Sequence, residues 1–124
     1  MKYLLYAAIA TAMAFIIGCN GEKGFESVGV DAFAKIAEQP GVQLIDVRTA
    51  EEHAEGHIAG STNIDVKSDS FIEIASRTLD KGKPVAVYCR SGRRSKKAAE
   101  QLVENGYKVI ELDCGYNGWQ KAGK

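Results

Sequence analysis

The sequence predicts an α/β domain in which a parallel sheet is covered by helices on both faces. Three observations carry that expectation. Short apolar runs alternate with helical patterns along most of the chain, the runs are almost unbroken in hydrophobicity, and glycine- or proline-bearing stops such as Pro40-Gly41, Lys81-Gly82-Lys83 and Gly106 separate them. Strands covered on both faces read as continuous apolar runs because neither face meets water, and intervening helices supply the crossovers that parallel neighbours need.

The chain has 124 residues, 45% hydrophobic and 26% charged, which suits one globular domain with a single core. Sixteen basic and sixteen acidic side chains cancel, so nothing in the overall charge points to nucleic acid as a partner. The amino terminus stands apart from that core. Met1 and Lys2 form a short basic start, Tyr3 to Gly18 carry no charge, and the stretch ends in Ile16, Ile17, Gly18, Cys19. This resembles a bacterial lipoprotein signal, and the resemblance implies cleavage before Cys19 and lipid attachment at its sulfur. An uncut signal anchor or an ordinary secretory signal is the alternative, although the apolar stretch is shorter than the ~20 residues a spanning helix prefers. Residues 1–18 are thus expected to be a signal peptide and 19–24 a polar, glycine-bearing tether. Residues 25–124 are expected to form the domain, exported from the cytoplasm and held on a bacterial membrane facing the periplasm.

The domain's elements follow in order. Val30, Phe33, Ile36 and Ala37 recur at helical spacing, Asp31 complements the dipole in the first turn, and Pro40-Gly41 stops the helix. Val42 to Val47 reads as a buried strand, Ala50 to Glu55 as a short helix ended by Gly56, and Asn63 to Val66 as a further short strand. Ser70 and Glu73 have capping-box spacing ahead of a helix with Phe71, Ile74, Ala75 and Leu79 on one face. After the strand Pro84 to Tyr88 comes a helix with Ala98, Ala99, Leu102 and Val103 opposite Lys96, Lys97, Glu100 and Glu104, and Val109 to Leu112 is the last strand.

The run ending at Tyr88 leads into Cys89 and a basic turn, CRSGRRS. A thiol there faces a helix amino terminus, whose unpaired N–H groups and partial positive charge favour an anion, as do neighbouring guanidiniums. Cys89 is expected to ionise easily and to act as a nucleophile towards an anion, and ligands in such sheets bind beyond the carboxyl ends of the strands. Gly92 lets the chain curl so that successive N–H groups point inward. Substrate contacts are expected from Arg90, Ser91, Gly92, Arg93, Arg94 and Ser95. Arg94 closes the loop and is the better placed of the arginines, while Arg90 could serve partner attraction. A buried structural thiol is the plain alternative for Cys89, yet three arginines would line an apolar core poorly; for the arginines themselves the alternative is a solvated surface cluster.

Three segments now carry a resemblance. LIDVRTAEEHAEGHIAGSTNI (Leu44 to Ile64), VYCRSGRRS (Val87 to Ser95) and LDCGYNGWQKAG (Leu112 to Gly123) are similar, in that order and spacing, to a single-domain rhodanese. The similarity spans nearly the whole chain from about Phe25. It implies a three-layer α/β/α sandwich around a five-stranded, mainly parallel sheet, and a monomer needing no metal or organic cofactor. It also implies a sulfurtransferase: the thiolate takes a sulfane sulfur from thiosulfate or a polysulfide, becomes a persulfide, and passes the sulfur to cyanide or a thiol. Thiosulfate is a dianion, so its approach to a thiolate needs positive charge and N–H donors. The other class of reading is a carrier that holds sulfane sulfur and delivers it to a membrane-associated partner with little turnover on small donors.

Protein tyrosine phosphatases also place an arginine beyond a cysteine, with a histidine before the cysteine and five residues between. Here Tyr88 precedes Cys89 and four residues separate it from Arg94, so the loop is one residue short for a tetrahedral phosphate. Asp46, Arg48 and Glu52 are expected to support the site as an ion-pair and hydrogen-bond set, since sulfur transfer by a thiolate needs little proton chemistry from a carboxylate. His53 and His57 are four apart, but Gly56 interrupts the helix and no third ligand is evident, so no metal is expected. Tyr116 and Trp119 read as core closure. Cys114 departs from the rhodanese pattern, which has glycine there; it is a candidate resolving thiol for Cys89, or an inert small side chain.

Overall fold

A computed structural model describes residues 24–124. The elements run β1 (Glu26–Val28), α1 (Val30–Ala37), β2 (Gln43–Asp46), α2 (Ala50–Glu55), β3 (Thr62–Asn63), α3 (Phe71–Thr78), β4 (Val85–Tyr88), α4 (Arg93–Glu104), β5 (Val109–Leu112) and α5 (Gly115–Lys121). Five strands form one sheet in the order β1-β5-β4-β2-β3, and every pairing is parallel. β4 is therefore central, with β2 on one side and β5 on the other.

The period-2 geometry of a strand divides β4 between two cores. Val85, Val87 and Cys89 point to one face, where they meet Phe71 and Ala75 of α3 and Ala98, Ala99 and Leu102 of α4. Ala86 and Tyr88 point to the other, where Phe33 of α1 and Trp119 of α5 close the layer, the two rings edge to face at 6.4 Å. This is the expected α/β/α sandwich, and Trp119 and Tyr116 are core-closing as read from sequence.

Three local expectations are corrected. β1 was not legible: Glu26–Val28 is a three-residue, half-buried edge strand with two polar residues, and it is seated by pairing with β5 rather than by an apolar run of its own. The strand expected at Asn63 to Val66 is Thr62–Asn63, because Ile64 and Val66 leave the ladder to bond the carbonyls of Asp46 and Val47 while filling the core. The capping box expected at Ser70 does not form; Ser70 makes no side-chain cap, and its own N–H is taken by Ser68 Oγ. A complete box stands instead at Thr49 and Glu52, opening α2. The first eighteen residues and Cys19 lie outside the described residues.

Candidate active site

Parallel order brings three loops to one edge. The turns after β2, β4 and β5 all leave the sheet at its carboxyl end, so Asp46 and Arg48, Cys89 to Ser95, and Asp113 to Gly115 become neighbours. Cys89 sits at their centre with 1% of its surface exposed.

The turn after Cys89 owes its shape to glycine. Gly92 adopts φ +100°, a left-handed conformation that other residues reach only with strain, and it opens α4 as the N-cap. In that conformation its N–H donates to Cys89 Sγ at 3.1 Å. The loop is pinned from outside by α5, whose Tyr116 and Asn117 N–H groups donate to the carbonyls of Cys89 and Arg90 at 2.8 and 3.0 Å. Two close approaches leave no room for a side chain: a Cβ at Gly92 would collide with the Asp113 carbonyl, and one at Gly115 with the Arg90 carbonyl. Gly92→Ala is accordingly expected to lower stability by about 2–3 kcal/mol, from left-handed strain and displacement of the loop. It should also slow Cys89 alkylation, because the N–H that meets the sulfur moves; urea denaturation and an alkylation time course read the two effects.

Two of the three arginines, Arg94 and Arg90, are already paired. Arg94 grips Glu52 of α2 with two parallel bonds of 2.7 and 2.9 Å, and Arg90 adds a third at 2.8 Å. Arg94 holds the Glu52 carboxyl well below the ordinary carboxylate range, against a smaller opposing effect of burial and with help from the Thr49 backbone and Arg90. In return Glu52 raises Arg94. Glu52 thus engages both Arg90 and Arg94 at once. Arg93 and Ser91 are exposed at the surface of the turn, and Ser95 is fully buried beside the thiol.

Beneath the loop lies the Asp46 and Arg48 pair. Asp46 is fully buried at the end of β2 and Arg48 is 2% exposed. Arg48 Nη2 meets Asp46 Oδ2 at 2.7 Å and also donates to the Gly56 carbonyl at 2.7 Å. His53 Nδ1 and the Tyr88 hydroxyl close on the same Oδ2, at 2.9 and 3.2 Å. Burial alone would raise Asp46, but the bonds from Arg48 and His53 outweigh it and hold the carboxyl below its ordinary value. Burial beside this pair pushes the Tyr88 hydroxyl up to about 12. The guanidinium of Arg48 lies 4.5 Å over the Tyr116 ring, which ties α2, β4 and α5 together. Asp46 and Arg48 thus form a buried ion pair beside the Cys89 loop. His53 and His57 stack with ring centres 3.7 Å apart, His57 Nδ1 on the His53 carbonyl, and no cluster of three metal-ligating side chains occurs among the described residues.

Two residues of the site were not read from sequence. Glu111, fully buried on β5, accepts from Ser95 and Ser27, and Lys96 spans from Glu111 to Asp113. A lone carboxylate in the run Val109-Ile110-Glu111-Leu112 was the available signal, because a charge on a doubly covered strand requires a partner. Cys114 lies where expected, after β5 and next to the loop, but it is exposed and its Sγ is against Gly118 in its own helix. Cys89 and Cys114 are both free thiols.

A buried cysteine in a loop between a parallel sheet and a helix amino terminus, with a left-handed glycine and paired arginines beside it, defines a class of cysteine-centred α/β domain. Residues 29–122 match the family model described as Rhodanese-like domain, and the chain belongs to that family. Among curated relatives, "Thiosulfate sulfurtransferase 18" of Arabidopsis thaliana is 36% identical over 81% of this chain and 83% of its own length. "Thiosulfate sulfurtransferase GlpE" of Shewanella oneidensis is 30% identical over 79% and 95% respectively. Among solved structures, a rhodanese-related protein from Thermoplasma volcanium superposes with a TM-score of 0.69 at 27% identity, covering 80% of this chain and 94% of that one.

Proposed function

We propose that this protein is a thiosulfate sulfurtransferase working through a persulfide on Cys89. One observation supports this above the others: Cys89 Sγ receives the Gly92 N–H at 3.1 Å in a loop bounded by Arg94, at the amino end of α4. The names of the relatives agree with it. In the first half-reaction the Cys89 thiolate attacks the outer sulfur of thiosulfate, forming an S–S bond, and the bond to the central sulfur breaks so that sulfite leaves with its electron pair. In the second, cyanide or a thiolate attacks the outer persulfide sulfur, and Cys89 leaves as thiolate. Loop N–H groups offset the charge in both directions. Intact mass after incubation with thiosulfate should show one added sulfur on Cys89, and thiocyanate should accumulate with cyanide. Added sulfur without turnover would mark a carrier; no added sulfur from thiosulfate or polysulfide would sink both readings.

Glu52 competes with the donor for positive charge in this scheme. Glu52→Gln should release Arg94 and Arg90 towards the dianion and lower the thiosulfate KM roughly threefold, at a cost of about 1–2 kcal/mol in stability for the lost charged hydrogen bonds. Steady-state kinetics and urea denaturation read the two sides.

The address belongs to the same proposal. The uncharged stretch from Tyr3 to Gly18 ahead of Cys19 supports a cleaved signal over 1–18, lipid attachment at Cys19, a tether over 19–24 and a domain from residue 25, held on the periplasmic side of a bacterial membrane. In that compartment disulfides persist, which gives Cys114 its candidate resolving role. To reach Cys89 its side chain must swing away from Gly118, and its neighbours Asp113 and Gly115 already touch the loop.

A further inference from the structure

Glu111 is the only charged residue of β5, and it is fully buried. Three donors converge on its carboxylate: Ser27 Oγ of β1 at 2.6 Å, Lys96 Nζ of α4 at 3.3 Å and Ser95 Oγ of α4 at 2.5 Å. Ser95 is also fully buried, and the Cys89 thiol donates to its hydroxyl at 3.4 Å. A chain of two hydrogen bonds therefore joins the nucleophile to a buried carboxylate on the neighbouring strand.

A serine hydroxyl has one proton and two lone pairs. With its proton given to Glu111, Ser95 offers Cys89 only a lone pair, which suits S–H and gives a thiolate nothing. We propose that Glu111 is a positioning residue for Cys89: by holding the Ser95 proton it keeps the nucleophile in its thiol form at rest. The thiolate gains a second donor, beside the Gly92 N–H, only when the Ser95 proton turns towards it. That turn takes the Ser95 proton away from the Glu111 carboxylate that holds it.

The surrounding charges complete the arrangement. Lys96 faces the Glu111 carboxylate directly at 3.3 Å, and Asp113 shares Lys96 at 2.8 Å. Burial pulls Lys96 down, but Asp113 and Glu111 outweigh it and hold the ammonium above its ordinary value, so it stays charged. On the Cys89 side, Arg94 is the facing cation, with Glu52 and Asp65 acting on it.

The test is the pH dependence of ultraviolet thiolate absorbance in the full-length protein, taken as the difference between each variant and its Cys89→Ser counterpart. Glu111→Gln keeps the shape, replaces the acceptor that holds the Ser95 proton with an amide that can donate to Ser95, and removes a buried negative charge. Its thiolate midpoint is expected about one pH unit below that of the unmodified protein, which is about tenfold more thiolate on the acid side. Ser95→Ala, which leaves Lys96 and Ser27 to satisfy Glu111, is expected not to raise the midpoint, because at rest Ser95 gives the thiolate no bond. An unshifted or alkaline midpoint in Glu111→Gln, or an alkaline one in Ser95→Ala, overturns the proposal, and the serine variant alone decides it should the glutamine variant fail to fold. The inference rests on Cys89 as the nucleophile, but absorbance needs no sulfur donor, so its failure and a failure of sulfur transfer are separate results.

Discussion

Cys89→Ser is expected to abolish both persulfide formation and thiocyanate production, to the level of the uncatalysed reaction, while leaving stability within about 1 kcal/mol. The change is close to isosteric, and the Gly92 N–H and the Ser95 hydroxyl that meet Sγ can meet an oxygen as well. What is lost is chemical: a serine hydroxyl in this place is not ionised near neutral pH, and oxygen cannot hold the transferred sulfur as a persulfide. Cys114→Ser supplies the contrast. Since Sγ of Cys114 lies against Gly118, persulfide on Cys89 should form at an unchanged rate in that variant. If the resolving role holds, only the release step to an outside thiol should slow. Intact-mass spectrometry of both variants after thiosulfate, with peptide mapping to locate the added sulfur, reads all of these outcomes; added sulfur mapping to Cys114 in Cys89→Ser would move the nucleophile.

How much of this was legible in the sequence depends on whether a feature is written locally. The turn from Cys89 to Ser95 is local: an apolar run, a thiol, a glycine and the start of a helical stripe lie within a dozen residues, so the loop, its left-handed Gly92 and its direction could be read together. The position of Asp46 and Arg48 near that loop follows from strand order, because they stand at and just after the end of the strand expected beside the Cys89 strand, and β2 does pair with β4. β1 was not, since a three-residue edge strand is created by its partner and leaves no pattern of its own. The capping boxes show a related limit. Ser70-x-x-Glu73 and Thr49-x-x-Glu52 have the same spacing, but only Thr49 takes the extended backbone, φ −67° and ψ 159°, that aims its hydroxyl at the N3 amide, whereas Ser70 sits at ψ 16°. Glu52 then serves twice, accepting from the Thr49 backbone and from Arg94 and Arg90, a pairing across 42 and 38 residues that no local motif announces. The same holds for Ser27, Ser95 and Glu111, which meet only because β1, α4 and β5 are neighbours in the folded sheet.

Arg48→Met should be the most destabilising single change at this edge of the sheet. It removes the main partner of a fully buried carboxylate, together with the bond to the Gly56 carbonyl and the stacking on Tyr116. Breaking one side of such a pair costs about 3–5 kcal/mol, because the remaining charge stays buried without compensation, while methionine retains much of the packing of the arginine stem. The pH dependence gives this prediction its distinctive form. In the unmodified protein Asp46 is held below 3.8, so its contribution to stability is complete above that value and is lost as pH falls through the folded value. In the variant the balance reverses: burial dominates, His53 and Tyr88 are the donors left, and the folded carboxyl titrates above 3.8. Asp46 then takes up a proton on folding, and the destabilisation it causes near neutrality is relieved as pH falls towards 3.8. Urea denaturation should therefore show the largest gap between the two proteins at about pH 7 and a distinctly smaller one at about pH 4. A gap that stays constant over that range would mean that Arg48 acts through packing on Tyr116 and the bond to Gly56 rather than through the charge on Asp46.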